Sequence, residues 1–435
     1  MTSVWNNILF LIRVSLIILS EGFLYIIFKN KEKFIINISD KLAKINILYV
    51  KIFQAFALNN KLIDEKTNNY LLKYTDNAPW IHSDIDYITL FKISNEYNLK
   101  IENCFAPINS GMISLVFKAI NNNTKQTIII KIKRNNIEII LEEAIDNLLF
   151  FIYLLSYIPI IQKYEIPDSV SKNIEIIRTQ TNFNKEIENM RTIKSNCKRL
   201  KYVVIPDVYK EVTYKYNNVI MMEFINGQKI GNVSKEDYYD FSILLHKFVF
   251  ITLFINGVTH GDLHSGNILF IKDEENVKKI ALIDFGILYK TDKKFNETIF
   301  DFCTGIFTKS PQDVSLRILN NGFFEPPDII DKIPKKDGEH LIKLISIFIN
   351  DILHKSKEAN QIKIYEFLFN LNNYVSENKL DSCGIKMSDE FLKLQMFLAM
   401  YQGIVLKLSD DDFMSTVNKV ITELYGSTLT FFESD

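Results

Sequence analysis

Asp262, Asn267 and Asp284 are the residues whose types and spacing point most directly to chemistry. They sit in His260-Gly261-Asp262-Leu263-His264-Ser265-Gly266-Asn267 and in the later Ile283-Asp284-Phe285-Gly286. A carboxylate, a carboxamide five positions on, and a second carboxylate before Phe-Gly form the order used for metal-assisted phosphoryl transfer. That chemistry needs cations bridging phosphate oxygens, and Mg2+ takes hard oxygen donors from one or two carboxylates plus phosphate and water. Asn267 and Asp284 would supply the protein's share as metal ligands. Asp262 would orient an attacking hydroxyl or water and accept its proton, which needs hydrogen-bond reach more than an unusual pKa. The plainer alternative is that these residues cap turns and Gly266 relaxes the backbone. Two motifs in this order argue against it.

The surrounding elements explain how such residues could meet. Residues 268–271 and 279–283 are apolar β-forming runs about a polar turn at 273–276, a hairpin that returns Asp284 to the neighbourhood of Asn267. A second hairpin is read at 116–119 and 127–132, about Asn121-Asn122-Asn123-Thr124, with Lys131 on its second strand. Helical patterns cover 39–72, 137–161 and 184–195, the last carrying Glu186. The apolar run 148–161 is too short to span a bilayer and contains Pro159, so a buried helix is expected there. Strands return at 202–205 and 219–223, and 238–255 reads as a long apolar helix delivering the chain to His260. From 296 onward the pattern is mostly helical, broken at Pro311, Pro326-Pro327 and Pro334, and no internal repeat or low-complexity linker is visible.

This order predicts an α+β, protein-kinase-like two-lobe fold: a small β-rich lobe, a hinge at 223–227, and a helix-rich second lobe, with ATP between them. In such folds a strand lysine touching the α- and β-phosphates is held by a helix-borne glutamate, the roles expected for Lys131 and Glu186. Glu188 competes for the second role, and an edge-strand lysine is the bland alternative for the first. Ser110 and Gly111, in Asn109-Ser110-Gly111-Met112, are expected to help cradle phosphate. Glu223, where the hinge begins, is counted with the nucleotide contacts.

Composition bounds the rest. The chain has 435 residues, 47% of them hydrophobic, enough for several lobes with real cores. A net charge of −1 gives no sign of a nucleic-acid binder. Cys104, Cys197, Cys303 and Cys383 lack C-x-x-C spacing, which argues against a zinc site or a secreted disulfide scaffold and for a reducing, intracellular setting. Residues 8–28 are about long enough to cross a bilayer, but Arg13 and Glu21 interrupt them. An amphipathic helix packed on the fold or lying on a membrane surface is therefore preferred to a span.

Several further motifs resemble the UbiB family of atypical kinase-like proteins, the ADCK group in animals. The family's H-x-D-P-H-P-G-N resembles His260 to Asn267, including His264, and its K-x-G-Q resembles Lys51-Ile52-Phe53-Gln54. Its V-A-V-K strand resembles Ile128-Ile129-Ile130-Lys131, and its F-x-x-E-A-x-N helix resembles Phe183-Asn184-Lys185-Glu186-Ile187-Glu188-Asn189. Tyr401-Gln402-Gly403 through Leu408-Ser409-Asp410 is similar to its closing helix, so the likeness runs over 47–413. The resemblance implies an N-terminal helical extension over the protein-substrate cleft, with Lys51 and Gln54 pointing into the nucleotide site. It also implies ATP and Mg2+ as cofactors, ATPase or small-molecule kinase activity, and a link to quinone or other isoprenoid-lipid metabolism. The departures are Phe53 in place of Gly, the reduced segment 57–64, the Ser110-Gly111 loop in place of an Ala-rich one, and Leu263 and Ser265 in place of two prolines.

The expected layout is an apolar helical segment at 1–38, a helical extension at 39–100, an N-lobe at 101–225 and a helical C-lobe at 226–435. The leading expectation is an Mg-ATP-dependent atypical kinase or ATPase acting on a lipid or small molecule, with no nucleic-acid partner and with a membrane surface as a candidate partner. Two alternatives are kept: a nucleotide-binding pseudokinase scaffold, and an aminoglycoside-phosphotransferase-like small-molecule kinase, whose H-G-D-x-H-x-x-N motif also matches here.

Overall fold

The computed structural model describes residues 2–49, 78–155, 157, 174, 177–299, 310–326, 329–359 and 385–409, with 416, 419, 420 and 423 beyond them. The Lys51, Phe53 and Gln54 motif, the segment 57–64 and Asp410 lie outside the described residues. The chain divides into two compact units: Met1–Glu188 with Pro206–Ile225, and Asn189–Ile205 with Asn226–Asp435.

The first unit begins with two helices, α1 (Thr2–Phe28) and α2 (Lys31–Ile45). Asn30 caps α2, its side chain accepting from the Lys33 amide at 2.9 Å. Next comes α3 (Tyr87–Glu96), started by Asp86, whose carboxylate accepts from the Thr89 amide. The sheet is built from β1 (Leu99–Ile101), β2 (Asn109–Ser110), β3 (Ser114–Asn121), β4 (Thr127–Lys133) and β6 (Val219–Glu223). Its order is β1-β3-β4-β6 with β2 also on β3, and every pairing is antiparallel. The β3–β4 hairpin turns at Asn121, whose Oδ1 accepts from the amides of Asn123 and Thr124.

Alternation along β4 sorts its side chains. Ile128, Ile130 and Ile132 enter a core with Leu90, Leu99 and Phe117. The odd positions face the other way, and Lys131 is among them. The helix α4 (Ile137–Leu155) follows. Its buried residues Leu141, Ala144 and Ile145 lie in its first half, while Leu149, Tyr153 and Leu154 are exposed. Leu148 and Phe151 pack partly buried against neighbouring core residues, so the described part of 148–161 is a helix buried on one side only.

Two expected boundaries shift. The boundary at 100/101 cuts through β1, because Leu90, Ile93 and Leu99 belong to the sheet's core. Residues 85–101 thus pack with the sheet instead of forming part of a helical extension. The boundary at 225/226 is crossed as well: Asn189–Ile205 belongs to the second unit, since β5 (Val203–Val204) pairs in parallel with β9 (Lys278–Leu282). The helix α5 (Phe183–Asn196) consequently contributes to both units, which divide at Glu188 and Asn189.

In the second unit, β8 (Ile268–Lys272) and β9 form the hairpin read from the sequence, with Ile268 opposite Leu282. Asp273 closes its turn by accepting from the amides of Glu275 and Val277, and Asn276 takes the left-handed conformation at φ 63. After the short α6 (Lys210–Lys215) of the first unit, the helix α7 (Tyr238–Val249) continues through residues 250–255 in wider i→i+5 turns, marked by the Asn256 amide donating to Ile251 O, before β7 (Val258–His260). β7 pairs with β10 (Leu288–Lys290). The remaining described elements are α8 (Pro311–Asn320), α10 (Lys335–Ala359) and α11 (Asp389–Leu408), with the short α9 (Ile329–Lys332) and a two-stranded pairing of β11 (Phe324–Glu325) and β12 (Lys386–Met387). Among the described residues three helical segments are long and apolar enough to cross a membrane. Those at Lys235–Ile255 and Asp389–Leu408 are half or more buried, whereas Trp5–Phe28 is only 17% buried.

Candidate active site

The polar residues singled out by sequence fall into two groups, one in each unit. In the first unit Lys131 lies opposite Val116 on β3 and Ile220 on β6. Its Nζ donates to Glu186 Oε1 at 2.6 Å, with side chains only 7% and 3% exposed. Phe183 and Ile187, one turn apart on α5, pack on Ile220 and fix the helix against this face of the sheet. The Phe183 ring also lies 5.7 Å from Lys131 Nζ. Glu188 instead pairs with exposed Lys185 at the helix surface, which separates the two candidate glutamates.

Ser110 and Gly111 form the turn between β2 and β3, where both have partners within the protein. The buried Ser110 hydroxyl donates to Ala78 O at 2.6 Å, and the Gly111 amide donates to Ser114 O at 2.9 Å. The Gly111 carbonyl accepts from Arg134 Nε and Nη2, while Nη1 reaches Pro79 O and Asp84 Oδ2. These bonds brace the turn from inside. Glu223 ends β6 with an exposed side chain, and its backbone amide donates to Asp207 O at 2.9 Å.

In the second unit the backbone after β7 carries Asp262 through a loop to Asn267, directly before β8. The β8–β9 register then places Ile283 beside Asn267, its amide donating to Asn267 O at 3.2 Å. Asp284 follows. Asn267 Nδ2 donates to Asp262 O at 2.9 Å, and among the described residues its Oδ1 has no hydrogen-bond partner. Asp284 Oδ1 accepts from the Gly286 amide at 3.0 Å.

Two imidazoles organise this loop. His260 is fully buried; its Nδ1 accepts from the Asp262 amide and its Nε2 meets the Asp284 carbonyl, so the neutral Nε2–H tautomer satisfies both. Burial is the main influence and holds this imidazole below its ordinary value, with the charges of Asp262 and Asp284 opposing it. His264 Nδ1 accepts from the Gly266 amide at 3.0 Å, which leaves its Nε2 facing Asp262 Oδ2 at 3.9 Å. The Phe285 side chain is wholly buried, with its ring 5.2 Å from that of His260.

One carboxamide oxygen and one carboxylate fit Mg2+ of the kind that completes its shell with phosphate oxygens and water. Among the described residues no group of three or more His, Cys, Asp and Glu side chains could hold a metal as an all-protein cage. The donor set therefore suits a cation delivered with a phosphate-bearing ligand.

The family model of the ABC1 atypical kinase-like domain matches residues 91–316. This chain belongs to that family. Lys131, Glu186, Asp262, Asn267 and Asp284 all lie in the matched stretch, whereas Lys51 and Gln54 precede it. The ABC1 chain is 24% identical over 290 residues to the uncharacterized protein slr0889 of Synechocystis sp., covering 61% of this chain and 67% of that protein. It is 27% identical over 311 residues to the probable protein kinase UbiB of Blochmanniella pennsylvanica, covering 69% of this chain and about half, 53%, of that one. Among solved structures it is similar to the Rv3197–erythromycin complex from Mycobacterium tuberculosis, at 13% identity and TM-score 0.46 over 85% of this chain and 90% of that one.

Sequence reasoning missed the residues that hold this ABC1 site in place. Asn189 Nδ2 donates to Phe285 O at 2.9 Å, so Asn189 and His260 grip consecutive carbonyls of the Asp284-Phe285 turn. Lys229 Nζ donates to Gly266 O. A Cβ on Gly261 would stand 2.7 Å from Ile287 Cγ2 and 2.8 Å from the Tyr289 amide nitrogen, so the close passage of β10 requires glycine there. Asn189 did stand in the quoted family motif, but only the fold reveals its partner.

Proposed function

We propose that this chain binds Mg-ATP and transfers the γ-phosphoryl group to a small-molecule or lipid acceptor, or to water, as an atypical kinase or ATPase. The observation that carries the reading is the arrangement of Asp262, Asn267 and Asp284. The Asn267 carboxamide is turned by its bond to Asp262 O so that its oxygen remains for a cation, and Asp284 follows the adjoining strand. When bound, Mg2+ would neutralise charge on the phosphate oxygens. Asn267 and Asp284 would hold it, Asp262 would orient the acceptor hydroxyl and take its proton, and Lys131, kept in place by Glu186, would meet the nucleotide phosphates.

His260 acts through the backbone in this reading. Neutral and buried, it ties the Asp262 amide to the Asp284 carbonyl and so sets the spacing between the base and the metal ligand. Lys51 and Gln54 retain the role the resemblance implies, at the nucleotide. The internal bonding of Ser110 and Gly111 favours a second reading, a nucleotide-binding scaffold with little turnover, since few amides of that turn remain for phosphate.

The deciding experiment is Mg2+-dependent phosphate release from ATP by purified protein, with nucleotide binding measured in parallel. Asp262→Asn should retain binding and lose turnover. Turnover equal to wild type in that variant would sink the base assignment, and Mg-ATP binding without any release by the wild type would establish the scaffold.

A further inference from the structure

The outer face of α1 is an exposed apolar surface that the chemistry above leaves unused. Trp5, Ile12, Leu16, Leu19, Phe23 and Ile26 are each at least half exposed. At 3.6 residues per turn they fall within an arc of about 100° and form one stripe along roughly 30 Å of helix. Arg13, Ser15 and Ser20 flank it. Soluble surfaces rarely leave so continuous an apolar band in water, and such bands mark a membrane or a protein partner.

The opposite face shows how this helix could meet a bilayer. Phe10 and Val14 pack with Leu42 and Tyr49, and the Tyr25 ring lies 5.3 Å from that of Phe34. Glu21, 2% exposed, is held by Lys41 Nζ and by Asn37 Nδ2, both on α2. α2 therefore lies along the second half of α1. It carries the exposed lysines 31, 33, 41 and 44, with Lys29 exposed in the connection. If α1 crossed a bilayer, these lysines and the Glu21 ion pair would be drawn into hydrocarbon, where charge is costly. A helix lying in the plane avoids that conflict. It buries only the stripe, leaves the paired face on the protein, and brings the lysines close to anionic headgroups.

We propose that α1 is an in-plane membrane anchor, its stripe from Trp5 to Ile26 seated at the acyl boundary of an anionic bilayer and the α2 lysines meeting the headgroups. This inference is independent of the ATP chemistry. The test uses the full chain with phosphatidylcholine vesicles, with and without phosphatidylserine, and tryptophan quenching by brominated lipids. Trp80→Phe leaves Trp5 as the reporter, and adding Trp5→Phe with either Leu16→Trp or Ile26→Trp moves the reporter along the stripe. Equal, shallow depths at all three positions are expected, with binding that prefers anionic vesicles and weakens with salt. Leu16→Glu with Phe23→Glu should weaken vesicle binding by roughly tenfold or more while circular dichroism stays unchanged. A reporter deepest at position 16 would overturn the proposal in favour of a span. Absence of vesicle binding would overturn it too, and a self-association by sedimentation that Leu16→Glu abolishes would then assign the stripe to a second copy of this chain.

Discussion

The two polar groups of this protein are held by different means. In the first unit Lys131 and Glu186 hold each other through a 2.6 Å ion pair beside Phe183, Ile187 and Ile220. In the second unit Asp262, Asn267 and Asp284 sit on a loop whose backbone is gripped from outside by His260, Asn189 and Lys229. The first arrangement stakes much on one pair, because burying one charge without the other is expensive. The second distributes the task over several hydrogen bonds, the neutral ones from His260 and Asn189 worth about 1 kcal/mol net each and the charged one from Lys229 somewhat more. Position is thus set by charge in one unit and by backbone bonding in the other.

The comparison breaks first on activity. Asp284→Asn should abolish Mg2+-dependent nucleotide binding, whereas Asp262→Asn should bind as wild type and lose roughly 10²- to 10⁴-fold in turnover. Isothermal titration with Mg-ATP and a phosphate-release assay read the two separately. Next in size is the ion pair. Glu186→Leu should cost roughly 3–5 kcal/mol in urea unfolding by removing one partner of a buried ion pair. Lys131→Met with Glu186→Leu should regain most of that stability without regaining nucleotide binding. A double variant as unstable as the single one would show that the pair is not the unit of stabilisation.

The outside grip predicts smaller effects. Asn189→Ala should cost about 1–3 kcal/mol, since Phe285 O loses its partner, and should lower kcat through the placement of Asp284. Gly261→Ala should destabilise by roughly 1–3 kcal/mol through overpacking against β10, seen as a lower Tm.

A separate effect is on pH dependence. Burial holds His246, bonded to Thr416 and Tyr401, at about 3, against an ordinary 6.5. Below 6.5 the unfolded chain takes up a proton that the folded one refuses, so stability should fall with pH from about 6.5 towards 3. His260, lowered for the same reason, adds to that slope. His246→Gln should unfold at lower urea at pH 7 yet show a flatter midpoint-against-pH profile. An unchanged slope would remove His246 from the account.

Much of the chemistry was legible because its signals are local. Alternation of β-branched residues announced both hairpins, and the β8–β9 register follows from a turn that Asp273 closes with its own side chain. The lysine and its helix glutamate could be named from their types. Less was legible at the boundaries. Residues 85–101 share no local pattern with β3 and β4, yet Leu90 and Leu99 complete their core. The second half of α4 is buried on one side only, with Leu149, Tyr153 and Leu154 exposed, because apolarity states a preference for burial and cannot say how much partner surface exists. Nor could the sequence show that the turn at Ser110 and Gly111 is braced by Ala78 and Arg134, which lie far from it in the chain.

By itself the sequence determined which atoms could act: a carboxylate base, two oxygen donors, a strand lysine, and the short-range periodicity that sets strands and helices. Only the tertiary structure decided which of those atoms are held, by whom, and which are already taken. Local propensity acts over a few residues, whereas the bonds from Asn189 to Phe285 and from Glu186 to Lys131 join positions far apart in the chain. A hydrogen bond between distant residues leaves no mark in either one's neighbours, and it exists only once the core has brought the two together.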